Sequence, residues 1–142
     1  MKQLWNQKLL IMLTVTVMIN PLLLSKSIAG PGRSGLRMYE PASEIKVHGV
    51  IQDIVYRPSK YRPGTGMHLR LLVNGKEWFV HLGPKAFFEE SEMQLAVGDK
   101  ALVTGAVSQQ NGKQFLIARE IQKQGQALII RDEMGRSHFR RR

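Results

Sequence analysis

Two histidines, His68 and His81, are spaced so that a tight turn would bring them together. Between them lies Asn74-Gly75, the strongest short-range signal for a two-residue hairpin turn. A turn there sets Val73 against Lys76, Leu71 against Trp78, Arg70 against Phe79, Leu69 against Val80 and His68 against His81. Directly opposed residues on antiparallel strands hold their Cβ atoms roughly 4.5–5.5 Å apart. Two imidazoles at that separation are able to share one ion, with zinc or copper as the candidates. His48, in phase with Lys46 on the preceding strand, is a third candidate ligand. The competing role for such a pair is a hydrogen bond, a ring stack or a cap on the rim of the fold.

Arg70 and Phe79 form the second pair on that face. A guanidinium over an exposed phenyl ring contributes ~0.5–1 kcal/mol. The same two groups also offer charge and a stacking surface to a base or sugar. The neighbouring segment, residues 57–66, holds two prolines, two glycines, Arg57, Lys60, Tyr61 and Arg62. Its composition reads as a loop, where binding residues concentrate. Arg57, Lys60, Tyr61, Arg62, Arg70 and Phe79 are therefore the candidate contacts for an anionic or extended ligand: an oligonucleotide, a glycan or an acidic protein surface. Gln109, Gln110, Asn111 and Lys113 on a later turn would border the same groove.

Catalysis finds little footing. The chain has no cysteine, which excludes disulfides, thiolate metal sites and cysteine nucleophiles. No serine sits in a nucleophile elbow, and no glycine-rich phosphate loop is present. Asp53, Glu77, Asp99, Glu120 and Asp132 are scattered rather than paired, and the chain is expected not to be an enzyme.

Residues 1–29 read as an export segment. Lys2 and Lys8 precede an apolar run over 9–24, and Ser27 and Ala29 give a small-x-small cleavage pattern. The run falls short of the ~20 residues that a span normally needs. The alternative is an uncleaved anchor that holds the domain outside the cytoplasm and supplies its only membrane contact. The whole chain carries 21 Lys+Arg against 11 Asp+Glu. Removing the three lysines of residues 1–29 leaves 18 against the same 11, a net charge of +7. A periplasmic or secreted basic protein with an anionic polymer or an envelope protein as partner is the expectation.

The elements that must position these residues follow in order. Residues 30–43 are a Gly/Pro/Ser-rich linker. Residues 44–56 form a long strand bent at Gly49. The hairpin is next, with Met67, Leu69, Leu71, Val73, Trp78, Val80 and Leu82 as its core face. A short helix over 85–94 begins behind Pro84. Strands over 100–108 and 114–122 flank a second Asn-Gly turn at Asn111-Gly112, and 126–132 adds a short strand. Residues 133–142 are expected to be a frayed basic tail. Three strands, one helix and two strands, with the first strand bent, is the order of an all-β, five-stranded OB-fold Greek-key barrel over 44–132.

The segments Gly66-Met67-His68-Leu69, Val80-His81-Leu82-Gly83-Pro84, Gly98-Asp99, Ala118-Arg119-Glu120-Ile121 and Leu128 to Asp132 resemble those of small exported bacterial OB-fold proteins. That group is loosely described as nucleic-acid-binding, and similar domains occur among accessory proteins of metal and magnetosome biology. The resemblance implies a barrel and an exported location. It leaves three functions open: an anionic-ligand binder, a histidine-based metal-binding accessory protein of the cell envelope, and a protein–protein adaptor.

Overall fold

The computed structural model describes residues 39–60 and 63–139. The export segment, most of the linker, Tyr61, Arg62 and the last three residues lie outside them. Among the described residues, no helix is long and apolar enough to cross a membrane.

Six strands carry the domain: β1 (Glu44–Pro58), β2 (Thr65–Val73), β3 (Lys76–Pro84), β4 (Lys100–Gln110), β5 (Lys113–Lys123) and β6 (Gln126–Ile129). Asn74 and Gly75 adopt φ values of 48° and 79°, as do Asn111 and Gly112 at 50° and 73°, the left-handed backbone that such turns require. The first turn fixes β2 against β3 in the register read from the sequence, with Leu71 opposite Trp78 and His68 opposite His81.

The N-terminal half of β1 pairs with β4 and its C-terminal half with β2. Gly49 marks the handover. A Cβ there would meet the Leu72 carbonyl at 2.5 Å, so only glycine lets the strands approach this closely. The sheet order is β3-β2-β1-β4-β5-β6, and a parallel pairing of β3 with β5 joins its two sides. All other pairings are antiparallel, and β1, β2, β3, β5 and β4 thus form a closed ring of pairings. The inward residues of each strand, among them Ile51, Leu69, Leu71, Val80, Leu82, Val103, Leu116 and Ile121, are fully buried. Trp78 is only half-buried at the edge of this core, with the Lys76 ammonium 4.2 Å from its ring centroid.

Three sequence expectations change. The helix α1 (Lys85–Glu89) lies between β3 and β4 as expected but stops short of Gln94. The Ser91 hydroxyl donates to the Phe88 carbonyl at 2.8 Å, which competes with helix continuation. The described end of the linker, residues 39–43, is structured: the Tyr39 hydroxyl donates to Glu44, and Pro41–Ser43 form a 3-10 turn. The described part of the tail, residues 133–139, is held to the domain. Asp132 accepts from the backbone of Met134 and Arg136, Arg131 bridges to Ser137, and Phe139 packs against Gly83 and Phe87.

Candidate functional site

A β-bulge shapes the outer face of the hairpin. Met67 pairs with Gly83 but His68 with His81, so Leu82 is the extra residue on β3. Bulges re-aim neighbouring side chains. Here the Nδ1 atoms of His68 and His81 lie 3.2 Å apart, with ring centroids 4.7 Å apart and planes tilted by 50°. Gly66 leaves room for the His68 ring, since a Cβ there would come within 3.3 Å of Nε2. The other face of the site is aromatic: His68 stacks on Phe79 at 5.1 Å between centroids.

Both imidazoles resist protonation. Burial first, then the proximity of His68 and Arg131, pushes His81 down to about 4. Burial and then Arg57 lower His68. At neutral pH the pair is uncharged, and one Nδ1–H donates to the other Nδ1. A metal displaces no net proton from such a pair: the single Nδ1 proton moves to Nε2 of its own ring, and both Nδ1 lone pairs are then open to an ion. With metal–nitrogen bonds of ~2.0–2.1 Å, a 3.2 Å separation subtends an angle of about 100° at a shared ion, close to the tetrahedral value.

The lowered His81 value also links stability to pH. The unfolded chain takes up the proton near pH 6.5, the folded chain only near 4. Stability is therefore full above about 6.5 and declines as pH falls through this window, by about 3 kcal/mol in all. The carboxylates of Glu44, Asp99 and Asp132, held below their usual range, add a decline of the same sign, so the test is a difference. His81→Gln should flatten the fall in denaturant-derived stability between pH 7 and 4.5 by about 2 kcal/mol. Equal falls in both proteins would contradict the assignment.

The remaining sequence-predicted residues are placed as follows. Arg57, not Arg70, lies over Phe79, with its guanidinium carbon 4.9 Å from the centroid. Arg70 pairs with Phe79 in register, but its side chain turns to Glu77 at 4.0 Å and its strand position faces Asp53. The cause is the bulge at Gln52, which shifts β1 by one residue and brings Arg57 to the His68 side. Lys60 is exposed on the loop. Tyr61 and Arg62 lie outside the described residues. His48 does not join the pair. It sits opposite Leu102 of β4, seven residues before Val55, which pairs with His68, a separation of roughly 20 Å along the strand. It borders two open depressions of about 570 and 630 Å³, one edged by Lys100 and Lys123 and the other by Lys46, Lys76 and Trp78.

Arg131 was not among the candidates. Its guanidinium is buried and donates to the carbonyl of the bulged Leu82 at 2.8 Å and to the Ala118 carbonyl. It thereby clips β3 to β5 beside His81, and burial pushes it down to about 10. Arg119 is the extra residue of a third bulge, on β5, and holds Glu44 in a bidentate pair at 2.8 and 3.0 Å. For Arg131 the sequence signal is slight: an arginine that ends the apolar run Leu128-Ile129-Ile130.

What the fold and this face define is a small all-β domain presenting a histidine pair. The family model of the MamS/MamX magnetosome protein family matches residues 43–128, and the chain belongs to that family. No curated protein sequence matches the chain.

Proposed function

We propose that this chain is an exported, non-enzymatic accessory protein of the magnetosome or cell envelope that binds a divalent transition metal through His68 and His81. The 3.2 Å approach of two uncharged Nδ1 atoms carries the reading. Membership in a magnetosome family supports the metal-handling side of the sequence expectations. The ring order of β1, β2, β3, β5 and β4, with α1 between β3 and β4, supports an OB-fold barrel whose second and third strands carry the ligand face. The basic n-region and apolar run of residues 1–29 support export.

The anionic-ligand reading is the weaker one. Phe79 is already engaged by His68 and Arg57, which leaves less ring for a base or sugar. On the strands of the face, Arg57 and Arg70 are matched in number by Asp53, which stands opposite Arg70, and by Glu77, which pairs with it. A polyanion would find little net charge there.

A metal that binds the folded state alone raises stability by about 2.7 kcal/mol at a hundredfold excess over Kd. Zinc added to the wild type should therefore raise the melting temperature by several degrees, and EDTA should reverse it. His68→Gln and His81→Gln, each compared with its own metal-free melting temperature, should show no shift. An equal shift in the variants, or none in the wild type, would defeat the proposal.

A further inference from the structure

We infer that the metal site is completed by a second copy of this chain, so that one divalent ion joins two His68/His81 pairs. The inference rests on the metal-binding reading above.

The chain does not complete the site by itself. Among the described residues, no group of three or more His, Cys, Asp or Glu is placed to hold an ion. The residues outside that range contain none of these four types, so every such side chain has been placed. Two nitrogens with an angle of about 100° at the ion occupy half of a tetrahedron. The other half must come from outside the chain. A second pair related by a two-fold axis supplies two more neutral nitrogens with the same bite, and the self-complementary arrangement is that of an isologous dimer.

Charge favours a copy of the chain as the occupant. The full chain has a formal net charge of +10, and two such molecules repel at most orientations. The outer hairpin face is an exception. Its Arg57 of β1 and Arg70 of β2 are matched in number by Asp53 of β1 and Glu77 of β3. Across a two-fold axis each acid is able to meet a base of the other copy. Leu72, 38% exposed, adds apolar surface at the end of this face. The patch is small and polar, so the contact depends on the metal and should not persist without it.

The test is sedimentation velocity of the purified chain during a zinc titration. The expected result is a monomer in EDTA and a doubled mass at half an equivalent of zinc per chain. Excess zinc should return the monomer, because each pair then holds its own ion. His68→Gln and His81→Gln should stay monomeric throughout, while His48→Gln should behave as wild type. Asp53→Arg leaves both histidines in place but makes the face cationic. It should bind one zinc per chain and dimerise at least tenfold more weakly. A wild-type monomer that binds one zinc per chain at every ratio overturns the inference and leaves the metal site standing. No zinc binding at all removes both. Zinc-dependent dimerisation that survives in the histidine variants places the junction elsewhere and overturns the inference as well.

Discussion

Replacing Gly105 by alanine is expected to lower the melting temperature by roughly 10–25 °C, the equivalent of about 3 kcal/mol for a domain of this size. Gly105 lies between Ile45 of β1 and Ala118 of β5, opposite the bulge at Arg119. An added Cβ would press on the Ile117 carbonyl oxygen and stand 2.9 Å from the Ala118 Cα. Both obstacles are backbone, so no rotamer change relieves them. The strands would have to part where the ring is already bent, and the Glu44–Arg119 pair is anchored at the same bulge. Gly83→Ala is the control. Its Cβ would meet the Phe139 ring at 2.9 Å, and a terminal side chain is able to move aside. A Gly105→Ala protein that melts within about 3 °C of wild type would mean that the bulge geometry is wrong.

Arg131→Met is expected to cost about 3 kcal/mol. The substitution keeps the volume of the stem and removes the donors. The Leu82 and Ala118 carbonyls then lose their partner in a buried position, at ~1–3 kcal/mol for each unsatisfied group. Relief from burying a cation offsets part of this, since burial already disfavours the charged form of Arg131. The loss falls on the short parallel ladder of Val80 with Leu116 and His81 with Ile117, which closes the ring of pairings. Hydrogen exchange of the β3 and β5 amides should accelerate more than that of β1 and β4. Uniform acceleration, or unchanged stability, would show that Arg131 is not the clip between these strands.

The hairpin was legible because its information is local. Asn74-Gly75 demands positive φ at both positions, one turn sets the register, and a period of two divides core face from outer face. The same logic found Asn111-Gly112 and the handover at Gly49. The histidine pair followed directly from that register. What failed to show was set by single inserted residues. The bulges at Gln52, Leu82 and Arg119 decide which side chains of β1, β3 and β5 share a face, and nothing in the composition marks them. Arg57 therefore took the place over Phe79 that alternation gave to Arg70. His48 was in phase with an outer face, but alternation is blind to distance along a strand that serves two partners. Arg131 and Phe139 act through contacts 49 and 56 residues back in the chain, beyond any local pattern.

The central claim is that the two Nδ1 atoms are metal ligands, and imidazole nitrogen chemical shifts report on it directly. In metal-free protein at pH 7, long-range proton–nitrogen correlation spectra should show both rings neutral, with one Nδ1 protonated and donating to the other. On addition of zinc, the Nδ1 resonances of His68 and His81 should move together to metal-bound values while both Nε2 atoms carry protons. Those of His48 and His138 should stay where they are. Zinc-induced shifts at His48 or His138, with the His68 and His81 nitrogens unmoved, would contradict the account.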